Sequence, residues 1–375
     1  MPLQNKSVFC RLGFYLALWR QFIGSKLFDT PINFQDFSIP EIQKRFKLSS
    51  EPEILSKKRM VWFWVPSDSA GASLILWAII PKVADYFGEQ SSNFEVVISD
   101  KLPEELGVDL LFSFKAVPDD SAIRFAEKVI LVICDQAHLF WCDFGNFDAV
   151  VVTSSYELAR LIANRSKKSV YFIDEPEKDI YFDSFDEQGF ERQFFGRQSI
   201  LWHGGSYSLS ALLKYQEALE ALAKNTDFSR IILISGSGVD LGLKWVGIEF
   251  SYIPWAPDAL IEFGKSCRVA FLPARSSLRN SYLKPAARLR CCYALGVPAI
   301  GDYRVPEVVR LSDAIQAPMI PEEEKRVGEF LIGLWGDVSG LANLATRGHH
   351  QIQKTHSEQA IISKWSRLIT HLLEI

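Results

Sequence analysis

The sequence predicts an α/β protein: two parallel-sheet domains in tandem, facing a shared cleft, with a helical extension ahead of them. Three observations carry this expectation. From Arg59 onward, short apolar runs alternate with turn-rich segments and helical patterns, as in parallel sheets wrapped by helices. The runs are continuous rather than alternating in hydrophobicity, which suits strands buried on both faces. The series is interrupted once, by the polar and aromatic stretch FDSFDEQGFERQFFGR at 182–197, and then restarts.

In the first half the expected strands are MVWFWVP (60–66), FEVVISD (94–100), DLLFSF (109–114), VILVIC (129–134), AVVVTS (149–154) and SVYFID (169–174). In the second half they are SILWHGG (199–205), RIILISG (230–236), EFSYIPW (249–255), RVAFLPA (268–274) and VPAIGD (297–302). Helices are expected over 210–224, from Pro257 and from Pro285, because proline suits the first helical position. Gly296 and Pro298 then fit the exit of the third of these. At the end, Ile361, Ile362, Trp365, Leu368, Ile369, Leu372 and Leu373 keep helical spacing. The expected organisation is an extension over 1–58, a first domain over 59–187, a second over 188–350, and a helix over 351–375 that returns to the first domain.

Composition bounds the function. With 375 residues, 48% of them hydrophobic and a formal net charge of -4, the chain has material for two cored domains. It has no basic tail of the kind that binds nucleic acid through many phosphates. Six cysteines form no CxxC pair and no zinc-spaced set, so reduced thiols in the cytoplasm and no bound metal are expected. The segment VFCRLGFYLALWRQFIGSKLF (8–28) has its longest uncharged run from Leu12 to Trp19, well short of the roughly 20 residues that span a bilayer. A helix with this aromatic content and with Arg11, Arg20 and Lys26 suits a membrane interface and a docked surface position equally well. The expected location is therefore cytoplasmic, with peripheral membrane contact through 8–28 as the alternative to none.

Open parallel sheets bind ligands at the carboxyl ends of their strands, and the candidate site residues come from those positions. Gly204, Gly205 and Ser206 follow one strand and precede a helix, whose N-terminus attracts anions. Gly236 and Gly238 follow the next, where glycine lets backbone approach a ligand closely. Residues 275–291 read RSSLRNSYLKPAARLRC, five cations without a carboxylate. With a helix starting at Pro285, Lys284 and Arg288 fall one turn apart on its first turn. Cations there oppose the helix dipole at a cost of about 0.3 to 1 kcal/mol each, and a bound anion reverses that sign. In the first half, Asp135 and His138 follow the strand VILVIC and are candidates for acid/base work, with a turn cap and a structural histidine as the plain alternatives. Asp174-Glu175-Pro176-Glu177 reads as a turn.

Several segments, in order, resemble the group-1-like, retaining glycosyltransferases of the GT-B fold. These are ICDQAHLF, DAVVVTSSYELARLI with VYFIDEP, ILWHGG, and IPWAPDAL with VAFLPA and NSYLKPAARLRCCYALGVPAIGDYRVPEVV, spanning roughly 105–310. The resemblance implies two Rossmann-like domains and transfer of a sugar from a nucleotide-diphosphate donor, without cofactor or metal, to an acceptor it does not name. It implies that Lys284 and Arg288 hold the diphosphate, that Gly236 and Gly238 approach the nucleoside, that Pro306 and Glu307 form a donor-side loop, and that Asp135 and His138 line the acceptor or sugar side. The chain departs from the pattern where the family carries paired acidic residues: Leu283 and Cys291 stand there. A non-catalytic GT-B relative that binds a nucleotide, glycan or protein is the alternative this departure raises.

Overall fold

The computed structural model describes residues 59–64, 79, 81–87, 94–99, 102–103, 107–114, 117–118, 123–134, 143–185, 194–205, 208–236, 242–274 and 282–374. The extension expected over 1–58, with its segment 8–28, lies outside these. Two sheets organise the rest. The first contains β1 (Arg59–Trp64), β2 (Phe94–Ser99), β3 (Val108–Phe114), β4 (Ala126–Ile133), β5 (Ala149–Val152) and β6 (Ser169–Phe172), in the order β2-β1-β3-β4-β5-β6. The second contains β7 (Ser199–His203), β8 (Arg230–Ser235), β9 (Glu249–Pro254), β10 (Cys267–Leu272) and β11 (Ala299–Gly301), in the order β11-β10-β7-β8-β9. Every strand pairing is parallel, and each of the expected strand segments overlaps an observed strand. β7 and β10 are buried along their whole length, as the continuous apolar runs require, whereas the edge strand β9 is only half-buried.

The helices depart from the sequence expectation in three places. The segment 210–224 is not one helix: α3 (Ser210–Leu213) and α4 (Gln216–Asn225) are separated at Tyr215, which leaves helical geometry and packs edge-on against Phe271, ring centroids 5.4 Å apart. Earlier in the chain, α1 (Tyr156–Ser166) lies between β5 and β6, and α2 (Asp179–Asp183) between β6 and β7. After α5 (Pro257–Gly264), α6 starts at Ala287 rather than at Pro285 and ends at Ala294. Third, the segment from 351 is not a separate helix. It holds the end of α9 (Val338–His356), which follows α8 (Val327–Gly336), and then α10 (Glu358–Glu374), with the break at Ser357 in extended geometry.

Three buried clusters result. Most of the second sheet, with α6 and α9, forms the largest. Gly348 lets α9 approach α6 closely, since a Cβ there would stand 2.1 Å from the Tyr293 ring. One face of the first sheet, with Phe63, Phe112 and Phe114, is covered by Ile361, Trp365, Leu368 and Ile369 of α10. The Trp365 ring sits 5.8 Å from Phe112 and 6.4 Å from Phe114. The other face packs on α1 and takes in Leu283 from the segment before α6. Two connections therefore tie the sheets together, α10 on one side and the approach to α6 on the other. No described helix is long and apolar enough to cross a membrane.

Candidate functional site

In the second sheet the chain runs outward from β7 to β8 and β9 in one direction and to β10 and β11 in the other. The two crossovers leave from opposite sides, so a crevice opens at the carboxyl ends of β7 and β10, where doubly wound sheets take their ligands. β7 ends at His203, and Gly204 and Gly205 follow it. Gly204 adopts φ +151, a conformation that L side chains rarely reach, and a Cβ on it would lie 3.3 Å from Ser208 Oγ and 3.4 Å from Arg288 Cδ. The missing side chain thus makes room for Arg288.

Arg288, in the first turn of α6, stretches across the crevice floor. Its Nη1 donates to the carbonyl oxygen of His203 (3.3 Å) and its Nη2 to that of Pro273 (3.2 Å), the residues at the ends of β7 and β10. The backbone carbonyl of Arg288 in turn accepts a hydrogen bond from His203 Nε2 at 3.1 Å. A carbonyl only accepts, so this contact fixes the Nε2–H tautomer. Burial lowers the His203 pKa to about 3, and the Arg288 charge pushes it the same way. His203 is therefore a neutral buttress, with Trp255 stacked on it at 6.0 Å. A guanidinium held at two corners by backbone oxygens has its planar fork set in position, the arrangement that suits phosphate oxygens.

The other side of the crevice is built by Asp302, 1% exposed, which accepts hydrogen bonds from the backbone N–H of Ala274 (3.0 Å) and from Arg304 Nε (2.8 Å). Burial raises its pKa, but these hydrogen bonds and the Arg304 charge outweigh burial and hold it below the usual carboxylate value. Gly236, after β8, is exposed, and among the described residues nothing lies within 4 Å of where a Cβ would be. Gly205 is half-buried and closes a turn with Ser208, whose N–H and hydroxyl both reach its carbonyl (2.8 and 2.7 Å). Among the described residues no group of three or more His, Cys, Asp or Glu side chains is placed to hold a metal ion.

The other expected site residues are placed differently. Lys284 is exposed and precedes α6 by three residues; it does not share a helical face with Arg288, because a residue before proline is kept out of helical geometry. Pro306 opens α7 (Pro306–Ile315), but Glu307 is buried and turned toward the first sheet's side. Its Oε1 accepts from the N–H of Tyr156 at 2.6 Å, at the start of α1, and its other oxygen pairs with Arg310. Asp135, His138, Ser206 and Gly238 lie outside the described residues.

Asp174 and Glu177, read from sequence as part of a turn, prove to be a buried ionic junction. Arg290, 4% exposed, donates to Asp174 Oδ1 (3.3 Å) and Glu177 Oε1 (3.1 Å). Cys291, at the position where the GT-B pattern has an acid, donates its thiol to Glu177 Oε2 at 3.1 Å. Burial, and then the Glu177 charge, push that thiol far up, so it stays protonated. Glu177 itself is raised by burial against the pull of Arg290. Asp174 goes the other way: despite burial, His356, Arg290 and Lys364 hold it well below the usual carboxylate range. No local signal could have paired Arg290 with carboxylates more than a hundred residues away.

No family model matches the sequence, and no curated protein matches it. Solved structures do. A glycosyltransferase from Rickettsia africae superposes with a TM-score of 0.58 at 11% identity, covering 85% of this chain and 99% of that one. Anabaena HepE, solved in complex with UDP and glucose, gives 0.52 at 12% identity over 84% of this chain and 100% of its own. WaaG, a glycosyltransferase involved in lipopolysaccharide biosynthesis, gives 0.51 at 11% identity over 84% and 99%. At such identities the likeness is one of fold. It defines the class of architecture as GT-B, two Rossmann-like lobes about a cleft.

Proposed function

We propose that this chain is a glycosyltransferase that binds a nucleotide-diphosphate sugar at the carboxyl end of the second sheet and transfers its sugar. The observation that carries the reading is Arg288: a guanidinium pinned between the ends of β7 and β10, beside a glycine whose absent side chain keeps it there. Departure of a diphosphate requires positive charge where the leaving oxygens develop theirs. Arg288 supplies it from a fixed position and Lys284 from the exposed rim, so metal independence belongs to the same proposal. Gly236, exposed after β8, is proposed to approach the nucleoside. Asp135 and His138 are proposed for the sugar and acceptor side, and retention of configuration follows the resemblance. The UDP complex of HepE makes uridine donors the first to try. A peripheral membrane acceptor is proposed to meet residues 8–28, and liposome co-sedimentation with and without that segment tests it.

A second reading has its own observation. Cys291 is committed as a hydrogen-bond donor to Glu177 and offers no carboxylate to a ribose, which favours a scaffold that binds a nucleotide without turnover. Thermal stabilisation by UDP-, GDP-, ADP- and CMP-linked sugars, followed by donor hydrolysis, separates the two. Stabilisation that Arg288→Ala abolishes, together with hydrolysis, supports the enzyme; stabilisation without turnover leaves the binder. If no nucleotide stabilises the wild type, both fail.

A further inference from the structure

A cavity of about 310 Å³ opens at the junction of the two lobes, walled by the end of β6 and the start of α1 on one side and by α6, α7, α9 and α10 on the others. None of the crevice residues His203, Gly204 or Arg288 lines it. On α6, Arg288 and Arg290 are two positions apart, about 200° around the helix, so one serves the crevice and the other the cavity. Its volume is at the lower end of the range for small-molecule sites.

The charges of the lining are unevenly shared. Arg290, Arg310, Lys364 and Arg367 line it, and the carboxylates paired with them are Asp174, Glu177 and Glu307. Glu175 adds its negative charge beside Arg290, so Asp174, Glu175 and Glu177 all gather on that one cation. The shortfall of carboxylate falls on α10, where Lys364 and Arg367 are three residues apart and repel one another. Asp174, 3.6 Å from Lys364 Nζ, is already shared with Arg290 and His356, and no ion-pair partner is seen for the exposed Arg367 among the described residues. The lining from β6 and the start of α1 is aromatic. Tyr156 and Phe172 meet edge-on at 6.0 Å, and the Arg310 guanidinium lies over the Tyr156 ring at 4.5 Å.

We propose that this cavity binds a phosphate monoester with a ring-sized body, its phosphate between Arg310, Lys364 and Arg367 and its ring against Tyr156 and Phe172. Guanidinium and ammonium groups are the usual phosphate partners, and the anion compensates the two cations of α10. Because the walls come from both lobes, the ligand favours whichever lobe arrangement keeps them together. The site is separate from the donor crevice and does not depend on the donor reading.

The test uses the full chain and three probes: glucose 6-phosphate, inorganic phosphate and glucose. Glucose 6-phosphate is expected to raise the melting temperature saturably, inorganic phosphate less, and glucose not at all. The shift survives in Arg288→Ala, which removes the crevice cation, and it is lost in Ala314→Trp, which places an indole in the lining. In Arg367→Glu, an exposed change, the dissociation constant rises about tenfold or more, the size of one lost charge contact. Absence of any shift with glucose 6-phosphate overturns the proposal. So does a shift abolished by Arg288→Ala but kept in Arg367→Glu, which would place the phosphate in the crevice. Equal shifts with inorganic phosphate would overturn the assignment of the aromatic wall.

Discussion

Arg290→Met tests the ionic junction between the lobes. Arg290 is 4% exposed and stands between Asp174 and Glu177 at 3.3 and 3.1 Å, so the substitution removes a buried cation while filling most of its volume. Removing one member of a buried ion pair costs about 3 to 5 kcal/mol, because the partner charge stays buried and uncompensated. The two carboxylates do not share that cost equally. Asp174 keeps Lys364 at 3.6 Å and His356 at 3.5 Å, whereas Glu177 keeps the Cys291 thiol and, among the described residues, no second cation is paired with it. Most of the loss therefore falls on Glu177, and protonating it relieves the loss. Its pKa is already raised in the native protein, and without Arg290 it rises further. A carboxyl that binds its proton more tightly folded than unfolded gains stability as pH falls through its folded pKa. Arg290→Met is thus expected to unfold on the order of 10 °C below wild type at pH 8, with a smaller gap at pH 5.5. Arg290→Met/Glu177→Gln should recover part of the loss at pH 8 and show a flatter pH profile. Differential scanning calorimetry at the two pH values reads all of this. A loss under about 1 kcal/mol, or a gap that widens in acid, would refute the argument.

Three more outcomes are expected. Gly204→Ala forces φ +151 on a side chain and presses on Arg288, costing about 1 to 3 kcal/mol and the donor-dependent thermal shift. Trp365→Ala empties the aromatic contact with Phe63, Phe112 and Phe114 and should cost about 3 to 5 kcal/mol by urea unfolding. Asp302, with a folded pKa held below its unfolded one, contributes stability that is present above the unfolded value and lost as pH falls through the folded one. Asp302→Asn should therefore lose about 2 kcal/mol at pH 7 and show a shallower acid-side decline than wild type.

The strands were legible because burial on both faces leaves a mark that needs no partner to be seen: VAFLP and ILW are continuously apolar, and β10 and β7 are buried throughout. The strand-end glycine at 204 was legible for the same local reason. Helix starts were less so. Pro285 was expected to open α6, yet the helix begins two residues later, and that small shift takes Lys284 off the helical face assigned to it. Tyr215 broke a helix whose local propensity is continuous, because its ring is drawn against Phe271 on the neighbouring strand. The junction of Arg290 with Asp174 and Glu177 was beyond reach, since local patterns carry no information about pairs separated by most of a domain. Glu307 illustrates the same limit: the residue was seen, but not that it faces the N-terminus of α1.

These differences resolve why a basic segment sits inside an acidic protein. The cations of the segment before and within α6 do unlike work according to what each one meets. Arg290 meets carboxylates and is neutralised, so its charge holds the lobes together and is not offered to a ligand at the crevice. Arg288 meets the backbone oxygens of His203 and Pro273, which orient a guanidinium without cancelling its unit charge. Those two oxygens fix where the guanidinium points, and a low-dielectric floor of buried strands strengthens the field of a cation held there. This orientation, rather than the density of basic residues, is what the proposed role of Arg288 toward an anionic ligand rests on. It follows that Arg288→Lys, which keeps the charge but cannot span both strand ends, should weaken nucleotide-sugar stabilisation nearly as much as Arg288→Ala. If the lysine variant binds like wild type, orientation by the two carbonyls is not what the site uses.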